Sequence, residues 1–323
     1  MQTMLSGEAN TDEIVELLKF FKRKGETVNE LVGFAQAVRD LGQRIDVDQS
    51  EQPLVDTCGT GGDSSDTFNV STATAFVVAG TGVRVAKHGN RKISSNCGSA
   101  DVLEALGVRI DSNPDYLAEC IAQTGIGFLY APLLHEAVRY AQEARLALKG
   151  RTIFNLLGPL TSPVRAQRQL IGAFSVRAAE ILAQASARLG TERAFVVHGL
   201  DGLDEITTTT HTVVFQVEHG KVQKGRWTPS DFGVPQASPE DLKGGVPETN
   251  AEIIRSVLDN QPGPHRDIVV ANAAAALLLA QHAEDLKTAV ELAAKSIESG
   301  SAKNKLEQLV AFTQSTHHLS QTY

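Results

Sequence analysis

A short apolar run, Pro53-Leu54-Val55, feeds directly into Asp56-Thr57-Cys58-Gly59-Thr60-Gly61-Gly62-Asp63, and no other stretch restricts the fold and its ligand so tightly. Glycines packed that closely free the backbone for positive φ and let N–H groups crowd an anion, because no Cβ stands in the way. Asp63 at the end of the loop would repel a phosphate that touched it, so it suits a hydroxyl-bearing or metal-bound part of the ligand. The loop reads as a cradle for a sugar phosphate accompanied by a cation.

A loop of this kind needs a strand before it and a helix after it, and the flanking sequence supplies both. Ser71 to Gly80 is a small-residue apolar helix, and Val83 to Lys87 is a second strand that ends in another polar loop, His88 to Ser99. Gly127 to Tyr130, Gln169 to Phe174 and Arg193 to His198 read as further strands. The stretches Asp101 to Leu106, Pro114 to Gly125 and Ala178 to Leu189 read as helices. Strand, loop, helix and strand in alternation predict an α/β layer architecture, with a mostly parallel sheet flanked by helices and ligand loops at one edge. Asp12 to Leu41 carries two amphipathic helices separated by Gly25, and His135 to Leu148 is predicted as one helix. Val213 to Glu218 and Lys221 to Lys224 form a hairpin through His219-Gly220. A polar loop from Thr228 to Asn250 follows, and helices at Ile253 to Leu258, Asp267 to His282 and Leu286 to Ser299 close the chain.

Composition narrows the partner. At 323 residues and 42% hydrophobic the chain can bury a large core, and a large domain with a smaller one is expected. The net charge of −8 disfavours DNA, RNA or an acidic membrane. The one basic cluster, Lys19, Lys22, Arg23 and Lys24, is the solvated end of a helix. Cys58, Cys97 and Cys120 are odd in number and widely spaced, which supports neither a disulfide framework nor a structural zinc site. The start lacks a charged segment followed by an apolar one, and no apolar run reaches membrane-spanning length, so the expected compartment is the cytoplasm.

Six collinear blocks together carry a resemblance. They are Asp56 to Asp63, Thr67 to Thr72, Lys87 to Arg91, Gly98 to Gly107, Arg151 to Leu160, and His198 to Ile206 with its acidic pair Asp204-Glu205. In order and spacing they resemble the anthranilate phosphoribosyltransferase family. The resemblance implies a large α/β domain and a small all-helical one, the type III phosphoribosyltransferase fold related to the nucleoside phosphorylases. The small domain would combine residues 1–47 with about 136–160, and the large one 48–135 with about 161–323. It also implies Mg²⁺, a homodimer through the small helical domain, and transfer of the phosphoribosyl group of 5-phosphoribosyl 1-pyrophosphate (PRPP) to anthranilate in tryptophan biosynthesis.

Carried over by position, the resemblance assigns PRPP to Gly59, Gly62, Asp63, Thr67, Asn69, Val70, Ser71, Thr72, Lys87, His88, Gly89, Asn90, Arg91, Lys92, Ile93, Ser94, Ser95 and Ser99. Metal falls to Ser71, Asp204 and Glu205, and anthranilate to Gly59, Asn90, Arg145, His135 and Pro159. No single catalytic residue is implied. Positioning and electrostatics at the leaving group would carry the reaction, with His88 and Arg145 in support. Taken alone, Asp204 and Glu205 also read as an exposed acidic turn, His88 and His135 as structural histidines, and Arg145 as a solvated helix residue. The chain departs from the family pattern at Glu136, where proline is usual after the histidine, at Ala144, and at Thr161-Ser162-Pro163. Three other readings stay open at this point: another aromatic amine as acceptor, a pyrimidine nucleoside phosphorylase-like enzyme, and a non-catalytic nucleic-acid-binding paralogue.

Overall fold

Every residue of the strand that feeds the glycine loop is buried except its last, the pattern of a parallel strand covered on both faces by helices. In the computed structural model, which describes residues 1–50, 52–63, 65–92 and 96–315, this strand is β1 (Leu54–Gly59). The others are β2 (Arg84–Gly89), β3 (Ile126–Tyr130), β4 (Arg168–Gly172), β5 (Arg193–Gly199), β6 (Thr212–Glu218) and β7 (Lys221–Trp227). They form one sheet in the order β3-β2-β1-β4-β5-β6-β7. β1 to β5 run parallel, while β6 and β7 are antiparallel additions at the edge. From β1 the chain winds outward to β2 and β3, then returns to the other side of β1 for β4. The reversal of winding opens a crevice beyond the carboxyl ends of β1 and β4.

Three helices, α1 (Gln2–Leu5), α2 (Thr11–Lys24) and α3 (Val28–Leu41), precede the sheet. α4 (Val70–Gly80) links β1 to β2, and α5 (Ser99–Ala105) and α6 (Pro114–Thr124) link β2 to β3. Between β3 and β4 come α7 (Ala131–Leu134), a 3-10 segment Glu136–Ala141, α8 (Gln142–Leu148) and α9 (Ile153–Leu157). α10 (Val176–Arg188) joins β4 to β5, and α11 (Pro247–Leu258), α12 (Pro264–Leu279), α13 (Leu286–Glu298) and α14 (Ser301–Gln314) follow β7. None of the described helices is long and apolar enough to cross a membrane.

Local chemistry explains these boundaries. α2 begins with a reciprocal capping box, Glu13 N–H to Asn10 Oδ1 and Asn10 N–H to Glu13 Oε2, both at 3.0 Å. It stops at Gly25, whose φ of +79° a glycine adopts without strain. α4 is buried on nearly all sides, with Val70 and Thr72 through Ala79 covered, so it packs as a core helix between the sheet and α12 to α14. The β6–β7 hairpin turns through His219 and Gly220 with φ of +46° and +77°, both positive as the tight two-residue turn demands.

Two large cores cover the two faces of the sheet. One joins α4, α5 and α11 to α14 to Val85, Phe195 and Val214. The other joins Ile14, Leu18, Leu31 and Val38 of α2 and α3 to Ala144, Phe154 and Leu157, then continues through Leu182 of α10 to Ile171 and Val196. The amino-terminal helices and the 136–160 excursion therefore share a core, and α10 connects it to the sheet.

The sequence reading differs from the structure at several elements. His135 to Leu148 is not one helix: His135 takes φ −130°, ψ 55°, turning its ring inward, and the chain resumes as a 3-10 segment before α8. A further helix, α14, follows Ser299, its apolar stripe at Ala302, Leu306 and Leu309 being buried. β7 extends to Trp227, whose ring packs edge-on against Phe195 and Phe232. The Thr228 to Asn250 loop contains the 3-10 turns Pro229–Phe232 and Pro239–Leu242 and ends inside α11.

Phe76 is 1% exposed at the centre of α4. Phe76→Ala is expected to cost about 3–5 kcal/mol of unfolding free energy in urea titrations, and a loss below about 1 kcal/mol would mean that α4 is not a core helix.

Candidate active site

The carboxyl ends of β1, β2 and β5 release three loops into the crevice, at 60–69, 90–98 and 200–211. In the first, Gly61 and Gly62 have φ of +61° and +75°, where an L side chain would be strained. The third reaches back over the first. Gly172 makes this possible, since a Cβ there would collide with the Asp204 carbonyl. A Cβ on Gly59 would lie 3.1 Å from Asp204 Oδ2, so that end of β1 is nearly closed as well. Asp204 Oδ2 accepts the Gly61 N–H at 2.9 Å, and Glu205 Oε1 accepts the N–H of Ser71, in the first turn of α4, at 3.1 Å. A carboxylate at a helix amino terminus is electrostatically favoured.

The acidic segment is fixed from both sides. Asp201 accepts the Leu203 N–H at 3.2 Å and the hydroxyls of Thr207 and Thr209 at 2.6 and 2.5 Å. Asn272 of α12 grips Ile206 at its N–H and carbonyl, at 3.0 and 2.9 Å.

Lys87, on β2 and 4% exposed, donates to the Thr57 carbonyl at 2.5 Å and to Ser71 Oγ at 3.0 Å. Burial lowers its pKa, against the pull of Asp56, Glu205 and Asp204, which favour the ammonium. Burial also raises Asp204 well above the usual carboxylate range, with repulsion from Asp63 and Glu205 adding to it. Glu205 is pushed up to about 7 by the same burial, opposed by Lys87 and the Ser71 N–H. Crowded acids in a dry pocket favour any cation that neutralises them.

The donors there, Ser71 Oγ, Asp204 and Glu205, are all oxygens, which suits a hard divalent cation. Among the described residues no three His, Cys, Asp or Glu side chains form a complete metal cage. Magnesium is characteristically held in this way, by one or two carboxylates, with substrate phosphate and water completing the shell.

The loops enclose a cavity of about 230 Å³. Of the residues singled out in the sequence, Gly59, Gly62, Asp63, Thr67, Asn69, Val70, Ser71, Lys87, His88, Gly89, Asn90, Arg91, Lys92, Ser99, Asp204 and Glu205 line it. Thr72 does not: it is buried in α4 with its N–H bonded to the Asn69 carbonyl. Ile93, Ser94 and Ser95 lie outside the described residues. Arg91 meets the cavity, but its guanidinium is engaged by Glu104 at 2.5 and 2.8 Å and by Asp101 at 3.2 Å. The Lys92 and Gly98 N–H groups both donate to Asp101 Oδ2 at 2.9 Å, bracing the second loop.

Asp66, Asn96, Asn155 and Gly245, to which the sequence assigns no role, also line the cavity. Asn155 lies inside the Arg151 to Leu160 block and donates to the Thr60 carbonyl at 3.2 Å, so that block was its signal. Gly245 had none, arriving from a stretch read only as polar loop.

His135, Arg145 and Pro159 lie outside the wall of this cavity. His88 joins them to it: its ring meets that of His135 edge-on, 5.4 Å between centroids, and its Nδ1 lies 3.2 Å from the Gly158 carbonyl. Burial lowers His88 to about 3 and His135 to about 4, so both are neutral at pH 7. Arg145 stacks over Phe154 at 4.9 Å and has no carboxylate partner among the described residues. Burial lowers its pKa, a direction that disfavours its charge without an anion nearby.

An anion-binding glycine loop at the switch point of a parallel sheet, facing paired acids, is the construction expected of an α/β enzyme that handles a phosphorylated ligand. Residues 51–303 match the glycosyl transferase family, a/b domain. The chain is 53% identical to the anthranilate phosphoribosyltransferase of Solibacter usitatus over 98% of its length and 93% of the relative's. It superposes on the crystal structure of anthranilate phosphoribosyltransferase from Thermus thermophilus with a TM-score of 0.91 and 40% identity, covering 97% of this chain and 93% of that one. The Saccharomyces cerevisiae enzyme, in complex with PRPP and Mg, is 28% identical with a TM-score of 0.86, covering 94% and 85%. The same yeast enzyme in complex with 4-fluoroanthranilate is 26% identical with a TM-score of 0.86, covering 97% and 90%. The chain belongs to the anthranilate phosphoribosyltransferase family.

Glu205 yields a test of the site's electrostatics. Raised from 4.5 to about 7, it keeps a proton in the folded chain that the unfolded chain gives up above about pH 4.5. Its stabilising contribution is complete below pH 4.5 and is lost as pH rises through 7. Asp56, pushed up to about 6, acts in the same sense. His88 and His135, lowered from 6.5, act in the opposite one, costing stability as pH falls below 6.5. In metal-free calorimetric scans from about pH 5 to 8, the melting temperature of the parent is expected to fall relative to that of Glu205→Gln. Parallel curves would show that Glu205 titrates normally.

Proposed function

We propose that the chain transfers the phosphoribosyl group of PRPP to the amine of anthranilate, forming N-(5-phosphoribosyl)anthranilate and pyrophosphate in tryptophan biosynthesis. One observation carries the reading: glycine-loop amides, the Ser71 hydroxyl, a buried lysine and two proton-hungry carboxylates converge on one cavity. The complexes of the yeast relative with PRPP and Mg and with 4-fluoroanthranilate support the same pair of ligands.

Breaking the bond between the anomeric carbon and pyrophosphate is the difficult step, because the carbon becomes cation-like before the amine has fully bonded. Groups that meet the growing charge of the leaving group lower that barrier most. In this chain the loop amides at 60–63 and 89–92 and the Lys87 ammonium are assigned to the phosphates. Mg²⁺, held by Ser71, Asp204 and Glu205, would neutralise the departing pyrophosphate. Asp63 is assigned to the ribose or to a metal-bound water rather than to phosphate.

Anthranilate brings a carboxylate and a flat ring. With His88 and His135 neutral, Arg145 is the cation assigned to that carboxylate, and a planar guanidinium matches it in geometry. Gly59, Asn90, His135 and Pro159 are assigned to the ring's surroundings. The arylamine is already neutral at pH 7, so no strong base is required and positioning carries the attack.

We further propose a small helical domain of residues 1–47 with about 136–160, closing on a large domain of 48–135 with about 161–323 to keep water from the cation-like carbon. Phe20, Leu41, Tyr140 and Leu146 on this helical side are 47%, 51%, 42% and 66% exposed, apolar side chains that self-association as a homodimer would cover.

Loss of anthranilate fluorescence, followed with PRPP and Mg²⁺, tests the reading directly; no loss with folded protein would sink it. Asp204→Asn and Ser71→Ala are expected to lower turnover and raise the magnesium requirement. Arg145→Ala is expected to raise the Michaelis constant for anthranilate roughly tenfold or more while leaving that for PRPP nearly unchanged, the effect of losing a charge-assisted hydrogen bond. An unaltered anthranilate constant in that variant would overturn the acceptor assignment.

A further inference from the structure

Behind the ligand loops runs a set of bonds that none of the groups above accounts for. The stretch 242–250 lies across Asp66 to Asn69 as a strap: Gly244 donates its N–H to the Asp66 carbonyl at 2.8 Å, and Phe68 donates to the Leu242 carbonyl at 3.4 Å. Gly244 has to be glycine, since a Cβ there would sit 2.7 Å from Cα and N of Phe68. Within α11, Asn250 is 1% exposed. Its Oδ1 accepts the Gly245 N–H at 2.7 Å, and its Nδ2 donates to Asn69 Oδ1 at 2.9 Å. Asn69 in turn donates its Nδ2 to the Cys97 carbonyl at 3.2 Å. Strap, first loop and second loop thus meet at one pair of amides.

Asn69 is the N-cap residue of α4, where an asparagine ordinarily accepts an N–H from the helix's first turn. Here its side chain makes no capping bond. Both ends of its amide are committed to the other two segments, and the residue lines the cavity. The arrangement forgoes a local stabilisation and in return sets the two loops at a defined distance across the phosphate cavity. Loops held in their binding geometry before the ligand arrives lose less freedom when it binds.

We propose that Asn250 is a positioning residue for the PRPP site: by orienting Asn69 it fixes the Asp66–Asn69 end of the first ligand loop against Cys97 of the second. The inference rests on the PRPP reading of the cavity. Asn250→Asp separates the two bonds, because the new carboxylate still accepts from Gly245 but cannot donate to Asn69. Asn69 would then have to turn its amide over, and would lose its bond to the Cys97 carbonyl. Asn250→Ser is a second variant, too short to reach Asn69.

The test is calorimetric titration of each protein with PRPP and Mg²⁺, alongside steady-state kinetics and melting temperatures. Binding by the parent checks the PRPP reading independently of the variants. The proposal expects Asn250→Asp and Asn250→Ser to bind PRPP about tenfold more weakly and to show a matching rise in its Michaelis constant. The anthranilate constant and kcat should stay within about twofold of the parent's. Variants that bind PRPP like the parent overturn it, as do equal losses for both substrates. A melting temperature that collapses in both variants makes Asn250 a residue of global stability and likewise overturns it.

Discussion

The cavity depends on one positive charge buried in a parallel sheet. Lys87 is buried on β2, and its ammonium is tolerable because the Thr57 carbonyl and Ser71 Oγ accept its hydrogen bonds while Asp56, Glu205 and Asp204 favour its charge. The dependence is mutual, since Lys87 is the charge that restrains Glu205 and helps restrain Asp56. Three carboxyl groups, from β1 and from the loop after β5, are gathered round a cation from β2. Removing Lys87 would leave all three without the cation that favours their charged forms, so the charges of the site and the stability of the sheet edge form one problem.

Glycine makes that gathering sterically possible. At Gly172 the missing Cβ is occupied space, since the Asp204 carbonyl lies where it would have been, and at Gly59 a Cβ would crowd Asp204 Oδ2 at 3.1 Å. Gly89 is equally constrained, because a Cβ there would press within 2.7 Å of the Phe128 ring. Gly61 is different, with open space around it and a positive φ as the reason for its identity. Backbone freedom and close approach are thus separate demands, met by different glycines around one site.

The residues assigned to the two substrates rest on different cores. The PRPP loops sit over α4 and the helices at the carboxyl end of the chain, whereas Arg145 and Phe154 belong to the core shared with α2 and α3. His88 stands at the junction, with its backbone N–H on Asp56 at 3.1 Å, its ring on His135 and its Nδ1 beside the Gly158 carbonyl. The acceptor side is also tied to the glycine loop, because Asn155 of α9 donates its Nδ2 to the Thr60 carbonyl at 3.2 Å.

How much was legible in the chain follows from what each feature depends on. The glycine loop, the strands leading into it, the capped helices α2 and α3 and the Asp204-Glu205 block are local patterns, set by φ preference, side-chain period and hydrogen bonding over a few residues. α14 carried such a pattern too, in Ala302, Leu306 and Leu309, although the reading stopped at Ser299. Tertiary structure decided the rest. The break at His135 accompanies a ring packed against His88, and the strap over Asn69 joins residues far apart in sequence. The raised pKa of Glu205 exists only once folding has removed its water, with Lys87 brought alongside to oppose the shift. Burial and long-range charge have no local signature, so the sequence by itself determined which groups were available, and the fold decided which of them meet and in what state of charge.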